Sequence, residues 1–145
     1  MILVHLIRLI GYAWASANTL IGLVLGLVYG ATWSWFDGCI EGECDRLPGG
    51  EWVGGQAHGW CVLFKRGQRG IAEVRVHERA HVVHQLTLGL LFYLAYGAHY
   101  LWLRRNHDHM AAYQRVWSER IAYRVQVQFV GGRFADAWGH RLPRN

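Results

Sequence analysis

Charge is almost missing from two long stretches of this 145-residue sequence. Between residues 6 and 36 the only charged side chain is Arg8, and between residues 86 and 103 there is none. About 20 apolar residues suffice to cross the hydrocarbon of a bilayer. The first stretch exceeds that length and the second, eighteen residues long, sits at its lower limit. Together they predict a membrane protein with a modest polar portion. The first stretch also lacks a small-x-small site followed by polar sequence, so a retained segment is expected rather than a cleaved signal peptide.

Cysteine is scarce as well. Cys39, Cys44 and Cys61 give no even disulfide framework, and no paired Cys-x-x-Cys accompanies them. Free thiols are expected, with a Cys39–Cys44 bridge only in an oxidising compartment. Acidic residues run short after residue 81, where only Asp108, Glu119 and Asp136 follow. What charge there is comes mostly from arginine, for a formal net charge of +5. Beside two lipid-length segments, that excess fits a cytoplasmic face held against anionic headgroups better than a nucleic-acid surface.

The apolar segment at 6–36 reads as a membrane helix or a helical hairpin bent near Ser16 and Asn18-Thr19. Tyr12 and Trp14 lie at one end, and Tyr29, Trp33 and Trp35 at the other, as in interfacial aromatic belts. Gly22, Gly26 and Gly30 recur every four residues, a stripe that lets another helix, or a second copy, pack closely. From 37 to 65, Asp-Gly, Pro-Gly-Gly and Gly-Gly turns separate short runs, which predicts two or three antiparallel strands. The run at 60–64 is the one expected to present an edge. A helical region is expected over 71–128, followed by a loosely ordered tail at 129–145. The whole is one mainly α domain.

Against this background stands His77-Glu78-Arg79-Ala80-His81. On a helix, residues four apart share a face, so His77 and His81 can aim at one ion. Glu78 is then placed to act as general base on the water that such an ion activates. Two imidazoles do not complete a zinc site. Among the few acids that follow, Glu119 lies on a predicted helix, with Ala122 one turn on to permit close approach. Tyr123 is on the same face, where its hydroxyl can meet an oxyanion. His84, at i+7 from His77, is an alternative ligand. His58, His99 and the His107-Asp108-His109 loop read as packing or solvated residues, although the histidine count also leaves room for a di-iron oxygenase-like site.

The pairing of H-E-x-x-H with a helical E-x-x-A resembles the gluzincin metallopeptidases. More closely, the chain is similar to a group of small, uncharacterised bacterial membrane proteins. They carry an Asn-Thr pair, a H-E-R-x-H-V helix, an apolar stretch and a final E-R-x-A-Y. Here these are Asn18-Thr19, His77 to Val82 and Glu119-Arg120-Ile121-Ala122-Tyr123. The resemblance implies that His77, His81 and Glu119 are metal ligands and that Glu78 is catalytic. It also implies a zincin-like ligand helix followed by a second ligand helix.

The expected function is therefore a zinc-dependent peptidase of the bacterial inner membrane acting on a peptide or protein, with its site on the cytoplasmic side. The alternative is a non-catalytic membrane subunit packed into a larger complex through the glycine stripe. The metal reading also constrains topology. Both ends of the segment at 86–103 must lie on one side of the bilayer, so it re-enters, lies in the interface or bends.

Overall fold

The structure, a computed structural model, describes residues 2–130. Of the loosely ordered tail expected at 129–145, residues 129–130 instead extend the last helix, and 131–145 lie outside the described residues. Six helices and a four-stranded sheet follow in the order α1 (Ile2–Trp14), α2 (Ser16–Val28), β1 (Thr32–Phe36), β2 (Cys39–Cys44), β3 (Gly55–His58), β4 (Cys61–Lys65), α3 (Ala72–Leu88), α4 (Leu91–Leu103), α5 (His109–Arg115) and α6 (Trp117–Val130). The mainly α expectation holds.

Its details change. The apolar stretch at 6–36 is not one membrane-length helix; it is divided among α1, α2 and a strand. Among the described residues no single helix is long and apolar enough to cross a membrane. The helical break falls at Ala15, which is fully buried, close to where the polar residues predicted a bend. The sheet, ordered β1-β2-β4-β3, is mixed rather than purely antiparallel. β1 and β2 form a hairpin whose turn, Asp37-Gly38, has positive φ at both residues, as tight hairpin turns require. β2 then pairs in parallel with β4, because the chain first makes β3 and folds β4 back into the middle.

That placement explains the apolar run at 61–64. Cys61, Val62, Leu63 and Phe64 are fully buried because β4 is covered on both faces. On one face Val62 and Phe64 join Val74 and Val82 of α3. On the other, Cys61 and Leu63 pack with Leu23 and Leu25 of α2. The expected edge at 60–64 is therefore an interior strand, and the edge belongs to β3. Cys39, Cys44 and Cys61 are free and buried, as expected. Burial raises the pKa of the Cys61 thiol to about 12, so it stays protonated.

The glycine stripe is used inside the chain. A Cβ at Gly22 would meet His58 and Cys61, and one at Gly26 would meet the Trp33 ring and Leu63. Gly30 lies beyond the end of α2. Gly22 and Gly26 thus let α2 sit directly on the sheet, the place where the sequence reading put a partner helix.

α3 ends at Gly89, whose φ of 55° and ψ of −137° suit only glycine. α4 leaves at a bend of 115°. Thirteen residues of helix span about 20 Å, less than the roughly 30 Å of bilayer hydrocarbon. The apolar segment is therefore bent, one of the arrangements that the metal reading allows, and the bend falls at Gly89, near its start. A second break, at Val116 with ψ of 135°, separates α5 from α6, where one helix from 111 to 128 was expected. A small core of Leu103, Ala112 and Val116 steadies this turn, and α6 returns along α3.

α3 is fastened to the sheet by a buried carboxylate. Glu41 of β2, 1% exposed, accepts from Arg75 at 3.1 and 3.2 Å and from Arg79 at 3.3 Å. Arg79 also donates to the Phe36 and Asp37 carbonyls, and Arg75 lies over the Phe36 ring. Glu41→Ala strips two arginines of their shared acceptor. Removing one partner of a buried pair costs about 3–5 kcal/mol, and urea unfolding should register about 3. A change below about 1 kcal/mol would mean that water already solvates the arginines.

Candidate metal centre

The middle of α3 presents His77, Glu78, His81 and Gln85 to the interior, all buried. α6 lies against this face, and Ala122, fully buried, is the small residue that allows the approach. The start of α6 is held by His99, whose Nδ1 accepts the Trp117 N–H at 3.1 Å. This puts Glu119, 3% exposed, opposite the two histidines.

The three side chains meet closely. His77 Nε2 and His81 Nε2 lie 3.2 Å apart, and Glu119 Oε2 is 3.2 Å from the first and 3.4 Å from the second. Oε2 is buried and makes no aligned hydrogen bond. Tetrahedral coordination at the 2.0–2.1 Å typical of zinc–nitrogen bonds gives ligand–ligand edges of about 3.3–3.4 Å. The triangle therefore fits one face of such a polyhedron, leaving the fourth vertex for water or substrate.

Neighbouring groups fix which atoms point inward. Gln126 Oε1 lies 3.2 Å from His77 Nδ1, so the ring donates there and keeps Nε2 as a lone pair. The Tyr96 hydroxyl donates to Glu119 Oε1 at 3.0 Å, which leaves Oε2 as the free oxygen. Tyr123 packs its ring on His77 with centroids 4.6 Å apart. Desolvation by itself would raise the Glu119 pKa, but the two imidazoles outweigh it and hold the carboxyl well below the usual range. Desolvation likewise opposes charge on His81, yet the Glu119 carboxylate raises its pKa overall. Both directions describe three donors drawing a positive charge into their midst.

Glu78 sits beside this triangle and differs from Glu119 in its environment. Burial raises its pKa, with the histidines and a backbone hydrogen bond from Ala57 of β3 pulling the other way. Raising by burial is the direction in which a carboxyl is tuned for general-base work. Gly55 makes room for it, since a Cβ there would lie 2.8–2.9 Å from the Glu78 side chain.

The site opens on a cavity of about 690 Å³. Leu25, Trp52, Tyr93 and Tyr113 are among its walls, and His77, Glu78, His81 and Glu119 line it together. Tyr123 lines it too. Its hydroxyl is hydrogen-bonded to Tyr113, and burial, the largest effect, keeps it protonated.

The remaining histidines fall elsewhere. His84 stacks on Phe92 and abuts Trp117, and burial lowers its pKa to about 4. Among the described residues it joins no metal-binding group; the one such group is His77, His81 and Glu119. His58 pairs with the Tyr93 hydroxyl at 2.9 Å, and burial holds it neutral, with a pKa of about 4. Asp108 caps α5 by accepting from Ala111, and His109 meets Tyr100. This separates the histidines that a di-iron site would need.

No protein-family model, curated protein or solved structure matches this chain. Its chemistry is therefore read from the site itself. Sequence reasoning missed Tyr96, Gln126, Tyr113 and Gly55. For Tyr96 and Gln126 no spacing rule applies, because each reaches its ligand across a helix interface. Gly55→Ala should push the Glu78 carboxylate away from β3 while leaving His77, His81 and Glu119 in place. The expected outcome is unchanged metal stoichiometry by elemental analysis, with the Glu78 side chain displaced in the crystal structure of the variant.

Proposed function

We propose that this chain is a membrane-associated, zinc-dependent peptidase with the ligand set His77, His81 and Glu119, as the resemblance to gluzincins implies. The convergence of two imidazole nitrogens and one unpaired carboxylate oxygen at 3.2–3.4 Å, with a second buried glutamate alongside, carries the reading. Imidazole and carboxylate donors in a three-ligand set with an open position are those of catalytic zinc. A zinc ion held there polarises a carbonyl and acidifies a water molecule.

The chain's own residues do the rest. Glu78 takes the proton from that water and delivers it to the departing amine. Tyr123, or the Tyr113 hydroxyl bonded to it, faces the cavity and can donate to an oxyanion. β3, the sheet edge beside Glu78, is covered by α3, which takes both outward-facing polar groups of Ala57, so it offers no free edge there to an extended peptide. Gln126 and Tyr96 keep His77 and Glu119 oriented.

Association with a bilayer is supported by where the apolar side chains point. Leu27, Val28 and Leu94 are each at least 70% exposed, and Leu9, Ile10 and Leu101 more than 60%. They lie on α1, α2 and α4, and Trp14, Trp35 and Trp102 are exposed nearby in the chain. Exposed apolar surface on this scale marks an interaction face. A bent, interfacial arrangement keeps the site on one side of the membrane, which the arginine excess makes the cytoplasmic side of a bacterial inner membrane. For the subunit alternative the glycine stripe no longer supplies the packing face, since this chain's own sheet covers Gly22 and Gly26.

Elemental analysis of detergent-purified protein should find one zinc per chain, lost in Glu119→Ala. Glu78→Gln should retain the zinc yet cut peptide hydrolysis at least a thousandfold; unchanged turnover would sink the assignment. Separately, the protein should float with anionic lipid vesicles. Replacing Leu27 and Leu94 together with Glu should release it, whereas release by salt alone would assign the binding to the arginines.

A further inference from the structure

Gln85 is one helical turn beyond His81 on the same face of α3 and is 1% exposed. Its amide is saturated. Nε2 donates to the Ala57 carbonyl of β3 at 2.6 Å, while Oε1 accepts from the Gly59 N–H at 2.7 Å and from Asn18 Nδ2 at 2.9 Å. Asn18, fully buried in α2, donates from the same nitrogen to the Gly89 carbonyl at 2.9 Å, where α3 ends. Its neighbour Thr19 accepts the Trp60 N–H at 3.1 Å and donates to the Ala15 carbonyl. Two side chains thus join α2, the β3–β4 hairpin and the end of α3.

The register of β3 gives this junction its chemical meaning. Gly54 accepts from Lys65 across the sheet, so alternate residues turn to β4 and those between turn outward. Ala57 faces outward. Its carbonyl goes to Gln85 and its N–H to the Glu78 carboxylate. Both polar groups of one strand residue are therefore taken by side chains of α3, seven residues apart.

We propose that Gln85, backed by Asn18, is a positioning residue for the general base. By holding the Ala57 carbonyl it fixes the peptide unit beside which Glu78 is aligned. The role rests on the peptidase reading only through Glu78; the clamp itself is a feature of the fold. Among the described residues no side-chain hydrogen bond orients Glu78 as those of Tyr96 and Gln126 orient Glu119 and His77. Without Gln85, β3 slides along α3 and the base loses its alignment, although the three metal ligands on α3 and α6 keep theirs. A buried amide that loses its partners also leaves Ala57 O and Gly59 N–H unpaired.

The test separates positioning from mere stability. Gln85→Met keeps the volume and removes all three hydrogen bonds, and Asn18→Leu removes the support behind them. Leu47→Ala, in the core on the α2 side of the sheet and not among the residues that line the cavity, supplies a control with a comparable loss of Tm. Gln85→Met should keep one zinc per chain and a KM within threefold, and lower kcat at least thirtyfold. Asn18→Leu should lower kcat less, and the double variant no more than Gln85→Met alone. Leu47→Ala should stay within twofold of wild type. Gln85 variants that fall no further than Leu47→Ala would overturn the proposal.

A second measurement does not require turnover. Residue-resolved amide exchange should show Ala57 and Gly59 exchanging at least tenfold faster in Gln85→Met, with Val62 of β4 unchanged. Unaltered exchange at Ala57 would overturn the clamp whatever the activity. A wild-type chain without hydrolysis would overturn the peptidase reading and leave the clamp to be decided by this exchange.

Discussion

Two imidazole nitrogens and a carboxylate oxygen are held within 3.4 Å of one another, away from solvent. Such a cluster favours positive charge at its centre, whether a proton on His81 or an ion, because the Glu119 carboxylate faces both imidazoles away from water. Much of the chain's architecture follows from meeting that condition. Ala122 lets α6 close on α3, Gly89 turns the apolar stretch aside, and α4 with α5 lead the chain back so that Glu119 arrives on the correct face. Tyr96 and Gln126 then decide which atoms point inward.

The second requirement is a base that is close to the ions' site and yet not one of its ligands. Glu78 and Glu119 are both buried, but their surroundings push them in opposite directions: one is desolvated beside a strand, the other is faced by imidazoles. Two carboxylates in one cavity thereby acquire two roles. The edge strand matters here as much as the helix, since Ala57 contributes a hydrogen bond to one and Gly55 the space.

The metal cluster was legible in the sequence because its chemistry is local. Helical spacing puts His77 and His81 together, and the scarcity of later acids singles out Glu119. The fold was only partly legible. The apolar stretch at 6–36 has the composition of a membrane helix, but composition cannot distinguish lipid from the two sides of a small sheet. Gly22 and Gly26 carry the same signal whether a helix or a strand approaches. Similarly, Cys61 to Phe64 read as an edge although β4 is central, since a buried strand announces apolarity and not its neighbours. Asn18 and Thr19 were noticed as polar residues in an apolar run; that Asn18 grips the end of α3 and Thr19 the β3–β4 turn depends on contacts more than forty positions away.

The break between α5 and α6 has a consequence for how the protein is made. A ribosome delivers α3 first, carrying two imidazoles that alone bind an ion weakly and leave several positions open. Glu119 emerges only after the α3–α4 bend, α4 and α5 have been synthesised, and Val116 must turn the chain before it can reach the histidines. The centre is therefore completed only when α6 docks. A nascent chain carries the motif with Glu119 still missing, so on the proposed reading tight capture of a metal would come only after the preceding helices have folded.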